Sequence, residues 1–184
     1  MHSSIYVPAE DSFLFSRVLK EQLPKLLKKN PNLKFLEIGT GSGIHLETAS
    51  NCGVKKENIF SSDINKNSVS HCNVLGFNCV HSDLFENIEG KFDLIAFNPP
   101  YLPEDSREPK DSAVATTGGK EGDEIILKFL KEAKKFLNKN GKIFLITSSL
   151  ARKVDFEKLG YKEKEIGCER LFYEILCVWE LRII

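Results

Sequence analysis

At 184 residues the chain is long enough to bury one core without metal or disulfide support, and too short for two domains of ordinary size. Its 26 lysines and arginines balance 26 aspartates and glutamates, which excludes a general basic field for gripping nucleic acid, though not a local patch. A composition 41% hydrophobic and 28% charged belongs to a globular chain and excludes disorder or a collagen-like fibre.

Residues 10–29 predict a helix, with Leu14, Val18, Leu19, Leu26 and Leu27 on one face, Asp11 or Ser12 as its cap and Pro24 as a kink or restart. From residue 34 onward, strand and helix alternate. Strands are expected at 34–39 (KFLEIG), 58–64 (NIFSSDI), 79–84 (CVHSDL), 92–97 (FDLIAF) and 142–147 (KIFLIT), with helices at 43–51, 65–76 and 122–137. Two closing strands, 161–166 and 171–181, are near enough in sequence to pair as neighbours. The alternation implies an α/β fold: a Rossmann-like, doubly wound, seven-stranded sheet, mostly parallel, with one antiparallel strand near the C-terminal edge. We expect a single domain over 1–184, with 1–33 a helical extension and 34–184 the core. The largest irregular stretch, 101–121, follows an apolar strand directly and is expected to be functional.

No run approaches the ~20 apolar residues of a membrane span, and the N-terminal MHSSIYVPAED has no signal-peptide pattern. The five cysteines are an odd number without a C-x-x-C pair, so reduced thiols and a cytoplasmic location are expected.

In an open α/β sheet, ligands bind beyond the carboxyl ends of the strands, and the informative residues fall there. After the first strand comes Glu37-Ile-Gly-Thr-Gly-Ser-Gly43, whose glycines let the backbone approach a ligand. A dinucleotide fingerprint counted from Gly39 needs glycine where Ile44 stands, which disfavours an NAD oxidoreductase. Glu37 suits a cationic ligand better than a pyrophosphate. Asp63 ends the second strand, where a carboxylate can accept ribose hydroxyls, and Asp83-Leu84 ends the third, where an adenine could be held. Asn98-Pro99-Pro100-Tyr101 ends the fourth. Two prolines stiffen that turn, Asn98 adds a carbonyl acceptor, and Tyr101 can lie on a planar group. Such a site grips the NH₂ of an amide or an exocyclic amine.

This constellation resembles the class I S-adenosylmethionine-dependent methyltransferases of the NPPY group. Val7-Pro-Ala-Glu-Asp-Ser12, Asp63-Ile-Asn65 and Gly118-Gly-Lys-Glu-Gly122 narrow the resemblance to the HemK-like class 1 release factor glutamine methyltransferases of archaea and eukaryotes. Val7 and Ser12 depart from the acid and threonine of that pattern. About 34 residues precede the first strand, too few for the N-terminal helical domain of the bacterial relatives. The resemblance implies that S-adenosylmethionine is held by Ser12, Glu37, Gly39, Thr40, Gly41, Asp63, Ile64, Asp83, Leu84 and Asn98. It implies that Asn98, Pro99 and Tyr101 act in catalysis, and that Asp11, Asn98, Pro99, Pro100 and Tyr101 contact the substrate. It further implies methylation of a Gly-Gly-Gln glutamine in a class 1 release factor, and a small zinc-binding activator subunit over FNCVHSDLF. The chain itself is expected to hold no metal: His71-Cys72 and Cys79-x-His81 fit no common zinc spacing. His45, in the first turn after the glycine loop, is expected at the surface.

The main alternative is methylation of adenine or guanine amines in RNA or DNA, which needs phosphate contacts. Residues 101–123 carry three basic against six acidic side chains, an acidic lip that disfavours stable nucleic-acid binding. A cofactor-binding scaffold without activity is disfavoured by the intact Asn98 and Tyr101.

Overall fold

The apolar runs become the strands of one twisted sheet in the computed structural model, which describes residues 5–104 and 116–184. In chain order the elements are α1 (Glu10–Leu27), β1 (Phe35–Ile38), α2 (Ile44–Asn51), β2 (Ile59–Asp63), α3 (Lys66–Val74), β3 (Asn78–His81), β4 (Phe92–Phe97), β5 (Leu102–Pro103), β6 (Thr117–Gly119), α4 (Glu124–Ala133), β7 (Leu137–Ser148), β8 (Tyr161–Arg170) and β9 (Ile175–Ile183). The seven-stranded sheet has the order β3-β2-β1-β4-β7-β9-β8, and β5 pairs with β6 apart from it. Strands β1 to β4 and β7 are parallel, while β9 runs antiparallel to both β7 and β8. This is the expected class I arrangement. Its winding reverses between β1 and β4, so the loops after those two strands flank the crevice where such sheets bind ligands.

The pleat sends alternate side chains to opposite faces. Leu94 and Ala96 join Phe35, Phe144, Ile146 and Val178 under α1, α2 and α3. Ile95 and Phe97 join Leu36, Ile38, Ile143 and Leu145 under α4. With both faces covered, β1 and β4 must be apolar almost throughout, which is why Glu37, in the middle of β1, is chemically conspicuous. On the second face, the rings of Phe85, Phe129 and Phe97 form a chain with centroid separations of 5.4 Å and 4.6 Å. That chain props the end of β4 immediately before Asn98.

Several local expectations are revised. The N-cap of α1 is Ala9, with no side-chain cap bond, while Asp11 and Ser12 are buried inside the first turn. Both are drawn inward by partners distant in sequence, described below. Pro24 lies within α1, which continues to Leu27. Residues 149–160, read as a short link, do hold no helix, yet Val154 and Phe156 are buried there, covering the second face from an irregular strap. Strand β7 starts at Leu137, five residues before the expected start, because Leu137 pairs with Phe92 across an irregularity in register. The stretch after Tyr101 is not wholly irregular, since β5 and β6 pair in parallel at its base. The acidic lip rests in part on Asp105, Arg107, Glu108, Lys110 and Asp111, which lie outside the described residues.

The expectation of reduced thiols throughout is corrected at one pair. Cys168 and Cys177 form a disulfide, and they face each other directly across β8 and β9. Adjacent antiparallel strands bring such opposed side chains within bonding reach. An odd cysteine count could not reveal that register. Cys52, Cys72 and Cys79 are free.

Candidate active site

The turn after β1 reverses tightly before α2 begins. Gly43, the N-cap of α2, has φ +80°, which favours glycine, and a Cβ there would sit 3.1 Å from the Cys72 sulfur, a tight contact that leaves little room for a side chain. Beneath the turn, Glu37 is fully buried. Its Oε2 accepts from the Thr40 hydroxyl at 3.0 Å and its Oε1 lies 2.6 Å from His45 Nδ1. His45 is therefore not at the surface: it is 4% exposed, and its Nε2 donates to the Ser12 carbonyl at 3.1 Å. The inward face of α2 is marked by the spacing of His45, Thr48 and Ala49, all buried. That spacing is the signal by which the histidine could have been placed.

Asp63, at the end of β2, accepts from the backbone N–H of Gly41 at 2.8 Å and of Asn65 at 2.7 Å. A carboxylate offers about four acceptor sites, so these donors leave capacity for a hydroxyl group. Burial pushes its carboxyl upward, and these backbone donors oppose that shift by favouring the charged form. Asp83 behaves differently. Its half-exposed carboxylate pairs with Lys128 at 2.8 Å on the surface. Next to it, Leu84 adopts φ +49°, the only non-glycine positive φ among the described residues. The hydroxyls of Ser62 and Ser82 donate to the Leu84 carbonyl at 3.3 Å and 3.0 Å and hold that conformation. Strain of this kind persists where surroundings over-determine it, and it concentrates at ligand sites.

Asn98 emerges from β4 opposite the start of α1. Its Nδ2 donates to Asp11 Oδ2 at 2.9 Å, while its Oδ1 is buried without a hydrogen-bond partner among the described residues. The carboxylate fixes the amide orientation, because the flipped amide would set oxygen against oxygen. Asp11 is itself held by the Ser12 N–H at 2.6 Å and by the Tyr6 hydroxyl, which donates across both carboxylate oxygens at 3.2 Å and 3.3 Å. Tyr6 carries no sequence signal and was missed. Burial, then the Asp11 charge, raises the Tyr6 and Tyr101 hydroxyls, so both rings stay neutral phenols at physiological pH. Asp11→Asn is expected to reduce turnover about tenfold, since an amide at this position lets Asn98 turn over. Comparing kcat with cofactor affinity for that variant checks it: kcat should fall by more than affinity does.

One cavity of about 610 Å³ joins these parts, within the size range of ligand pockets. Its wall includes Gly39, Thr40 and Gly41 after β1, Asp63 and Ile64 after β2, and Asp83 and Leu84 after β3. Asn98, Pro99, Pro100 and Tyr101 after β4 line it as well, with Tyr6, Asp11 and Ser12 from the N-terminal segment. Glu37 is the single candidate residue not on its wall. It lies under the floor and reaches the cavity through Thr40 and His45, both of which do line it.

A glycine turn at the switch point, a carboxylate ending the next strand and an Asn-Pro-Pro-Tyr turn define a class I S-adenosylmethionine-dependent methyltransferase, and comparison with known proteins agrees. The family model for Eco57I restriction-modification methylases matches residues 19–162. A Methanocaldococcus jannaschii chain named for protein N5-glutamine methyltransferase activity is 38% identical over 196 residues, covering 98% of this chain and 94% of that one. Methyltransferase HEMK2 of Mus musculus is 28% identical over 155 residues, covering 78% and 71%. Among solved structures, the E. cuniculi Mtq2–Trm112 complex, responsible for methylating the termination factor eRF1, superposes with a TM-score of 0.70 at 22% identity over 97% of this chain and 98% of its counterpart. A Bacteroides fragilis S-adenosylmethionine-dependent methyltransferase bound to S-adenosyl-L-homocysteine gives 0.55 at 18% identity, covering 96% and 82%. Within the class, this chain belongs to the HemK-like family of protein N5-glutamine methyltransferases.

Proposed function

We propose that this chain methylates the side-chain amide nitrogen of the glutamine in the Gly-Gly-Gln loop of a class 1 peptide chain release factor. The observation that carries the reading is the unpartnered, buried Oδ1 of Asn98, held at the cavity by Asp11. A buried acceptor without a partner is costly, and an incoming NH₂ group removes that cost.

The cavity fits the cofactor: its glycine turn admits close backbone approach, and Asp63 keeps free acceptor sites at the ribose position. S-adenosylmethionine, when bound, supplies a methyl carbon already activated by its sulfonium. Gly39, Thr40 and Gly41 would bind its amino-acid end with Ser12, and Asp63, Ile64 and Leu84 its nucleoside; Asp83, paired with Lys128, would contribute through its place on the wall. Alignment is what remains for the protein to provide. A glutamine nitrogen is a poor nucleophile because its lone pair is delocalised into the carbonyl. Asn98 Oδ1 and the Pro99 carbonyl would accept its two N–H bonds, turn the lone pair toward the methyl carbon and stabilise the positive charge that develops. Pro100 stiffens the turn, and the neutral Tyr101 ring offers the amide a flat wall. No group in this set needs to take a proton before transfer.

We also place the reaction in the cytoplasm, with its release-factor substrate, and within one methyltransferase domain. No helix among the described residues is long and apolar enough to cross a membrane. A small zinc-binding activator subunit would cover the outer edge of β3, which among the described residues pairs only with β2. Phe77, Cys79, Leu84 and Phe85 are already buried within the chain, so that edge and the exposed Val74 are what such a partner would cover.

The test incubates the chain, alone and with a candidate activator, with methyl-labelled S-adenosylmethionine, purified release factor and total RNA in parallel. Mass spectrometry should place the label on the Gly-Gly-Gln glutamine. Label on RNA and none on glutamine would overturn the proposal in favour of exocyclic amines.

A further inference from the structure

Both ring nitrogens of His45 are engaged, Nδ1 with Glu37 Oε1 at 2.6 Å and Nε2 with the Ser12 carbonyl at 3.1 Å. A carbonyl only accepts, so Nε2 carries a proton. The short contact at Nδ1 needs a second proton, seated on the nitrogen or on the carboxyl oxygen. Two neighbours favour the nitrogen. The Thr40 hydroxyl donates to the other oxygen of Glu37, which supports a carboxylate, and Asp11 on α1 adds negative potential at the ring. Asp63 on β2 acts on the same carboxylate, Phe15 packs on the ring at 4.9 Å, and Cys72 on α3 lies 3.7 Å from the Thr40 hydroxyl.

We propose that His45 is a positioning residue, an imidazolium clamp that ties the first turn of α1 to the floor of the cofactor cavity. One end of the clamp is Glu37 on β1, beneath the glycine turn; the other is the backbone of Ser12. Asp11, on that same turn, orients Asn98. The cofactor wall and the acceptor site are thereby fastened to each other through a single buried ring. This goes beyond the residues implied by the family resemblance and rests on the chain being an S-adenosylmethionine enzyme, not on which substrate it methylates.

The pH dependence follows. Burial alone would lower His45, but the charge and hydrogen bond of Glu37, with the Ser12 carbonyl, outweigh it and raise the imidazole above its ordinary value. Burial also pushes Glu37 upward, against the hydrogen bonds from His45 and Thr40, so the pair holds one proton through neutral pH. A group raised on folding stabilises fully below its unfolded value, about 6.5 for histidine, and the contribution is lost as pH rises through the folded value. Stability and cofactor affinity should therefore share a decline on the alkaline side.

Two measurements test the clamp, neither of them relying on methyl transfer. Nitrogen-15 spectra of the histidine-labelled wild-type protein at neutral pH should find both nitrogens of His45 protonated, with the second proton lost on raising the pH. His45→Gln should weaken S-adenosylmethionine binding, followed by calorimetry, about tenfold and flatten its alkaline decline. A ring with one proton at neutral pH overturns the proposal, as does a His45→Gln protein with wild-type affinity and pH profile. Either result would leave glutamine methylation standing.

Discussion

Asn98→Ala is expected to lower methyl transfer on the order of 10²-fold or more while leaving S-adenosylmethionine affinity within a few-fold of wild type. The split follows from where the side chain sits. Its Nδ2 already has a partner in Asp11, and its Oδ1 has none among the described residues, so the acceptor is held ready for a group that arrives with the substrate. An alanine removes that acceptor at the point where charge develops on the attacking nitrogen. It leaves Asp63 and the glycine turn untouched. Asn98→Asp is the sharper companion. It keeps an acceptor oxygen yet sets a second carboxylate against Asp11, so it should fail through misorientation and like-charge repulsion rather than through loss of the acceptor. Single-turnover kinetics at saturating cofactor, beside calorimetric binding, separates the two. Near-normal turnover of the alanine variant would falsify the amide-binding role.

The parts of this molecule that were legible in its sequence are those governed by local rules. The run FDLIAF became β4 from Phe92 to Phe97 because a strand covered on both faces is apolar almost throughout, its one charged residue, Asp93, being only half-buried near the strand's start. The glycines after β1, the acid ending β2 and the Asn-Pro-Pro-Tyr turn converge on one cavity because parallel strands deliver their carboxyl ends to one edge. What was not legible depends on contacts between distant segments. Asp11 looks like a helix cap until Asn98, 87 residues away, is seen bonded to it. Glu37 reads as a ligand for a cation, but its two oxygens are occupied by Thr40 and His45, and it acts from below the cavity. Tyr6 lies in a segment without periodicity, so nothing local places its hydroxyl on Asp11. The Cys168–Cys177 pairing needs the strand register, which a cysteine count does not contain.

Gly118→Ala is expected to cost as much activity as removing Asn98, from a position that need not touch a reactant. A Cβ at residue 118 would lie 2.4 Å from the Gly122 carbonyl oxygen and 2.6 Å from that of Pro100. Neither atom is the end of a flexible side chain, so the backbone itself must move. The obstruction is built by the pairing of β5 with β6, in which Leu102 stands beside Thr117 and Pro103 beside Gly119. That pairing presses the Asn-Pro-Pro-Tyr turn onto the glycines. Restoring ordinary contact shifts Pro100 by about 1 Å, and with it the acceptors that aim the substrate nitrogen; misplacement on that scale costs on the order of 10²-fold. Gly90→Ala is the matched control. Gly90 has φ +92° but no heavy atom within 4 Å of the added Cβ, so its substitution strains the backbone, at about 1–2 kcal/mol, without displacing the turn. The control should melt at lower temperature and keep its turnover, whereas Gly118→Ala should lose turnover and retain cofactor binding. Should the two variants lose activity in proportion to lost stability, packing of the glycines against Pro100 has no special role. Should only Gly118→Ala fail, the acceptor turn owes its position to a contact that no side chain could replace.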